Sequence, residues 1–164
     1  MLAPASLGVD FVKCMRMALI HDMAEALVGD ITPSDNVDKK DKSRAERDTM
    51  VYIAKKLLPN VGRGLTGEEI LEIWDEYENY SSKEAVFVHD VDKMELVLQT
   101  CEYERSTGKF LDEYNEVPSG IRLPEVKAWC EEVQKERERL RLSQGLPSHL
   151  PPGNPLITKA AKED

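Results

Sequence analysis

Hydrophobic residues recur along this chain at three- and four-residue spacing, and no segment sustains the apolar–polar alternation of a strand. The pattern predicts an all-α fold, with helix ends marked by Gly29, by Pro59 and by a Thr66-x-x-Glu69 capping box. The predicted helices are Val9–Val28, Lys39–Leu58, Thr66–Tyr80, Ser82–Thr107 and Leu123–Leu142.

The two ends of the chain differ from its middle. Residues 1–8 form a short lead without positive charge, which is untypical of a secretory signal or a transit peptide. From residue 143 the sequence becomes rich in proline and glycine, which predicts a disordered tail over 143–164 and makes His149 a poor ligand candidate. One helical domain is therefore expected over residues 9–142.

Composition excludes several classes of protein. Lys plus Arg is 22 against 31 for Asp plus Glu, a formal net charge of −9, which argues against binding to a nucleic-acid backbone. No apolar run reaches about 18 residues, so no membrane span is expected. The three widely spaced cysteines, Cys14, Cys101 and Cys130, suit reduced thiols and a cytoplasmic location.

Two motifs are weak evidence of function. Residues 62–67 spell G-x-G-x-x-G, but a predicted helix precedes them, whereas the dinucleotide-binding motif requires a strand there. The basic run between Lys39 and Arg47 is interleaved with acidic residues, which predicts a self-paired, solvated helix face. One or two of its lysines remain candidates to face an anionic substrate.

Ionisable residues gather on one side of the predicted first helix. At 100° per residue, His21, Asp22 and Glu25 share a sector of an otherwise apolar helix. Buried carboxylates need a partner, so the group indicates either a metal site or side chains that cap neighbouring helices. The helical wheel alone leaves both interpretations open.

The long fourth helix carries two polar stripes. One lacks any cation, which favours a divalent metal opposite it, with hydrogen bonds from other helices as the alternative. The other mixes charges and is predicted to be solvated, so Asp92 is a better ligand candidate than Asp90. The first stripe contains Glu84, Asp92, Glu95, Gln99 and Glu102, and the second contains His89, Asp90, Lys93, Thr100 and Glu104.

Two segments carry a resemblance to a known family. HDMAEALVGDI at residues 21–31, followed by VDKME at residues 91–95, resembles the HD-domain phosphohydrolases, and among them the small 5′-deoxynucleotidases. The resemblance implies an all-helical fold and the metal-dependent removal of phosphate from 2′-deoxyribonucleoside 5′-monophosphates. It also implies a homodimer.

The resemblance assigns site residues position by position. It makes His21, Asp22 and Asp92 ligands of the main divalent metal, which the mixed donor set suggests is manganese, cobalt or magnesium. Glu25 and Asp30 correspond to catalytic acidic residues near the substrate and a second metal, where the Ile31 carbonyl joins them.

One departure from the family pattern changes the expectation. The family has a further histidine ligand on a helix upstream of the His-Asp pair, and no histidine precedes His21 in this chain. We therefore expect a bundle that lacks its first helix, binds metal weakly and has little activity. The alternative function is that of a helical HD-fold interaction module without catalysis.

Overall fold

The computed structural model describes residues 3–32, 35–59, 64–150 and 154–155. Within these ranges the secondary structure is helical, without a β-strand, as the hydrophobic spacing predicts. None of the described helices is both long and apolar enough to cross a bilayer. The helices are α1 (Phe11–Ile20), α2 (Glu25–Val28), α3 (Lys39–Tyr52), α4 (Gly67–Glu78), α5 (Lys83–Thr107) and α6 (Pro124–Ser143).

The chain divides into two compact units, residues 1–88 and residues 89–164. The core of the first unit is built from α1, α3 and α4, whose apolar side chains meet around the fully buried Met50 and the nearly buried Trp74. Ile20, Ala24 and Ile53 complete the buried cluster. Helical spacing in each of these elements brings such residues onto one face.

The predicted single helix over Val9–Val28 is wrong, because the chain breaks after Ile20 and resumes a helix only at Glu25. His21 gives the reason. Its Nδ1 lies 2.9 Å from the Ala18 carbonyl oxygen, the acceptor that the residue 22 amide would use in a continuous helix. The following turn is tightened to three-residue hydrogen bonds, including Glu25 N–H to the Asp22 carbonyl at 3.0 Å.

Helices α3 and α4 begin at the signals that the sequence contains. The Asp38 side chain accepts the Lys40 N–H at 2.8 Å, and the capping box between Thr66 and Glu69 is fully formed. A π-helical turn, Ile53–Leu57, extends α3. Gly62 and Arg63 of the G-x-G-x-x-G motif lie outside the described residues.

The polar stripe of α5 that is predicted to be solvated is buried at Asp90, Thr100 and Glu104 and half-buried at His89 and Lys93. The prediction of a solvent-exposed His89-Asp90 pair is therefore wrong. In the second unit Asp90 and Glu104 are both fully buried. Glu104 pairs with Arg137 of α6, and Asp90 accepts the N–H groups of Arg122 and Leu123 at 2.9 and 2.7 Å. A helical wheel shows only that these residues share a face, and partners on α6 allow that face to be buried.

The cation-free stripe of α5 is not buried as a whole. Glu84 is buried, and it accepts the Asp10 N–H at 2.9 Å, so it uses the hydrogen-bond alternative. The remaining members are exposed, so solvent can screen their mutual repulsion. They are Asp92, Glu95, Gln99 and Glu102.

The described part of the tail is packed in the second unit. The side chain of His149 is only 2% exposed, and its Nδ1 lies 2.8 Å from Glu138 Oε2. Arg141 donates to the Pro147 carbonyl at 3.1 Å, and Leu150 is buried. His149 is thus not in a loose segment. Its pKa is lowered by burial and by the nearby Arg137, against the opposing effect of Glu138.

Replacement of Asp90 by alanine is expected to lower the free energy of unfolding by about 1–3 kcal/mol, because it leaves two N–H groups at the start of α6 without their acceptor. Urea unfolding of the chain measures the change. The control is Glu95→Ala on the same helix, whose exposed side chain should matter by less than about 0.5 kcal/mol. Equal effects of the two substitutions would contradict the capping role.

Candidate metal and phosphate site

His21 lies at the end of α1 with its ring held in one orientation. A carbonyl oxygen only accepts hydrogen bonds, so the contact of Nδ1 with Ala18 places a proton on Nδ1 and directs Nε2, the nitrogen that can ligate a metal in the neutral ring, toward Asp22. The ring also stacks at an angle on buried Tyr77 of α4, with centroids 5.0 Å apart. This hydrogen bond from one ring nitrogen to a backbone carbonyl is typical of metal-binding histidines.

The donor atoms of His21 and Asp22 have the spacing that a divalent ion needs. Nε2 lies 3.0 Å from Asp22 Oδ2. Adjacent ligands of an octahedral ion with bonds of about 2.1 Å are about 3.0 Å apart. Without an ion, a proton on Nε2 makes the same contact a hydrogen bond to Asp22, and this bond is the largest effect on the Asp22 pKa, which it lowers. Burial opposes it, and the charge of Lys42 adds a smaller lowering effect. The pair therefore fits one edge of an octahedral site.

Glu25 is the first residue of α2 and lies close to the His21–Asp22 pair. Its pKa is shifted in the opposite direction to that of Asp22. Burial raises its pKa, and the neighbouring carboxylates of Asp22 and Asp30 raise it further. Asp30 lies just beyond the end of α2 and is exposed. The structure thus brings four of the predicted site residues, His21, Asp22, Glu25 and Asp30, into one acidic region of the first unit.

Lys42 of α3 reaches the same region. Its Nζ donates to the Ile31 carbonyl at 2.8 Å and lies 3.6 Å from Glu46 Oε1. Its charge also favours the ionised forms of Asp22 and Glu25. The predicted site atom of Ile31, its carbonyl oxygen, therefore faces a cation in this structure.

Asp92 belongs to the second unit, where it is exposed on α5. Across the described residues, no three His, Cys, Asp or Glu side chains form a ready-made metal cluster. The ligand role of Asp92 stays a prediction that rests on its VDKME motif.

Sequence reasoning did not single out Lys42. The sequence does contain an indication of this contact region, because Lys42 and Glu46 are four residues apart and are predicted to form an ion pair on α3. Arg44 pairs with Asp41 of the same helix, as predicted, whereas Arg47 contacts Asp75 of α4. What the sequence could not show is that one lysine of this run turns toward the Ile31 carbonyl.

Comparisons with known proteins agree on one family. The sequence profile described as HD domain matches residues 1–138. The chain is 44% identical over 129 residues to the 5′-deoxynucleotidase hdd1 of Schizosaccharomyces pombe, and 41% identical over 128 residues to the 5′-deoxynucleotidase HDDC2 of Homo sapiens. These alignments cover 77% and 76% of this chain.

A solved structure gives the same result. HD domain-containing protein YGK1 superimposes with a TM-score of 0.64 at 30% identity, over 85% of this chain and 70% of that one. The chain spans less than two thirds of the two sequence relatives, 65% of the fission yeast protein and 60% of the human protein.

Proposed function

This chain belongs to the HD-domain family, and from that premise we propose that it is a metal-dependent phosphohydrolase acting on 2′-deoxyribonucleoside 5′-monophosphates. The observation that carries the proposal is the arrangement of His21 and Asp22. One ring nitrogen is committed to a backbone carbonyl, and the other lies 3.0 Å from a carboxylate oxygen. The substrate class is supported by the two sequence relatives, which are named 5′-deoxynucleotidases.

The proposed ligands of the main ion are His21, Asp22 and Asp92, and the proposed ions are manganese, cobalt or magnesium. When bound, such an ion supplies positive charge that acidifies a water molecule and offsets the charge of phosphoryl oxygens. The carboxylates of Glu25 and Asp30 are the proposed ligands for a second ion. The Ile31 carbonyl joins them through the lone pair that Lys42 does not occupy.

The chain's own residues have two further tasks in this proposal. When only the main ion is bound, Glu25, whose pKa is raised by burial and by neighbouring carboxylates, is suited to hold a proton and pass it to the leaving 5′-oxygen. Asp30 is exposed and lies one residue beyond the glycine that ends α2, where it can orient the attacking water. Neither task requires the chain to form a covalent intermediate.

The proposal is tested by phosphate release from deoxy-AMP in the presence of Mn²⁺. The substitution His21→Ala should lower the rate by more than about a hundredfold, since even residues that only support a metal ligand are worth about 10- to 100-fold. Mn²⁺ should also raise the melting temperature of the unsubstituted chain and leave that of His21→Ala unchanged.

The matched control is His89→Ala, which changes the second His-Asp pair and should retain activity. The proposal is wrong if the unsubstituted chain releases no phosphate with any of the three metals. That result would favour the alternative, an HD-fold interaction module. Melting temperatures recorded over a series of Mn²⁺ concentrations test the expectation of weak metal binding.

Two further expectations belong to the proposal. A homodimer is supported by the apolar side chains that α1 exposes, among them Phe11, Val12, Met15 and Leu19. A cytoplasmic location is supported by the three cysteines, which are free and buried. Sedimentation of the purified chain measures the first expectation directly.

A further inference from the structure

The segment that follows α2 is fastened at three points. At its start, the Gly29 N–H donates to the Glu25 carbonyl at 2.8 Å. At its end, the Thr32 N–H and hydroxyl both bond to Asp35 Oδ2, at 2.7 and 2.8 Å. Between them, the Ile31 carbonyl accepts the ammonium group of Lys42 at 2.8 Å. The third point is the only one of these that reaches to α3.

Lys42 is itself held in place for this contact. Its side chain is half-buried, and Glu46, one turn further along α3, lies 3.6 Å from Nζ with its own side chain largely buried. The carboxylates of Asp22, Glu25 and Glu78 also interact with the Lys42 charge. These acids hold the ammonium charge in this region, where it also donates to the Ile31 carbonyl.

We propose that Lys42 is a positioning residue, which ties the Ile31 carbonyl to α3 and thereby fixes Asp30 beside Glu25 and Asp22. The proposal deepens the proposed function and rests on it, because Asp30 and Ile31 are residues of the proposed site. Lys42 acts through the backbone of Ile31 and does not touch the substrate. Glu46 orients Lys42 from the far side.

The first test needs no catalysis. In Lys42→Met, which keeps the length of the side chain but removes its charge and donors, amide hydrogen exchange at Gly29 and Thr32 should become about 10- to 100-fold faster. The measurement is made by NMR on the chain without added metal. Lys40→Met, an equal change at an exposed position of the same helix, should leave both amides unchanged.

A second variant keeps the proposal testable should Lys42→Met fail to fold. Glu46→Gln removes only the orienting charge, so exchange at the same two amides should rise by about twofold to fivefold. Unchanged exchange in the folded variants overturns the positioning role. This result is independent of activity, so an inactive chain refutes the proposed function without deciding the role of Lys42.

The active chain provides a readout that general destabilisation would not move. Lys42→Met should lower kcat for deoxy-AMP at least tenfold while KM stays within about twofold, because the substrate contacts remain. Lys42→Arg, which keeps a charged donor, should recover part of kcat. A raised KM with unchanged kcat and unchanged amide exchange would instead show that Lys42 binds the substrate phosphate, and would overturn the proposal.

Discussion

Substitution of Gly67 by alanine is expected to lower the free energy of unfolding of the chain by more than about 3 kcal/mol. Gly67 is the first residue of α4 and is buried against α3. A Cβ atom at this position would overlap the Ala54 carbonyl oxygen and lie within 2.9 Å of two further backbone atoms of Ala54. Backbone atoms cannot rotate away, so we expect a loss above the usual 1–3 kcal/mol of an overpacked core.

At an ordinary helix position, the same substitution would be expected to stabilise the chain. Helix propensity alone predicts that alanine stabilises a helix relative to glycine by about 0.5–1 kcal/mol. Urea unfolding followed by circular dichroism measures the change, with Glu68→Ala at the next, exposed position as control, for which at most about 1 kcal/mol is expected. A Gly67→Ala chain as stable as the parent would refute the close approach of α4 to Ala54.

The fold class and most helix ends were predictable because their causes are local. The capping box of Thr66 and Glu69 and the cap of Asp38 act within a few residues, and hydrophobic spacing shows which face is buried. The break after Ile20 was missed, although its cause is local as well. It depends on the rotamer of one histidine, which sequence spacing does not encode.

The polar faces were predictable only in part, because their burial depends on distant residues. Glu104 can be buried because Arg137, 33 positions away in the sequence, pairs with it. Asp90 can be buried because it accepts an N–H group at the start of α6. In the candidate site, Lys42 is distinguished from its neighbours in the basic run by a tertiary contact, its bond to the Ile31 carbonyl. Periodicity places residues on a face, but tertiary contacts decide what that face meets.

The second large effect is expected from Arg137→Met, which should lower the free energy of unfolding by about 3–5 kcal/mol. The Arg137 guanidinium donates to both oxygens of Glu104, at 2.8 and 2.6 Å, and to Asn115 at 2.8 Å. The side chains of the ion pair are 3% and 0% exposed. The substitution leaves a carboxylate buried without its cation, and this uncompensated charge is the main cost.

An exposed ion pair between the same two helices gives the matched control. Arg105 and Glu136 lie 2.7 Å apart, with side chains 52% and 51% exposed, so Arg105→Met should cost at most about 1 kcal/mol. The double variant Glu104→Leu with Arg137→Met should recover much of the lost stability, since it removes both charges. Equal losses in Arg137→Met and Arg105→Met would contradict the importance of burial.

The pH dependence separates loss of the ion pair from loss of packing. Burial would raise the pKa of Glu104, but hydrogen bonds from Arg137 and the Leu111 N–H outweigh it, and the pKa lies below its ordinary value of about 4.3. The pair therefore stabilises the parent above that pH, and this contribution is lost as the pH falls through the lowered pKa.

In Arg137→Met, the effect of burial is no longer offset by the guanidinium group, so the pKa of Glu104 should rise instead. The contribution of Glu104 to stability should then decline as the pH increases from 4 to 7. Unfolding free energies at several pH values should show the Arg137→Met deficit to be largest at neutral pH and smaller at pH 4. A deficit of the same size at both pH values would mean that lost packing, rather than the unpaired carboxylate, causes the destabilisation.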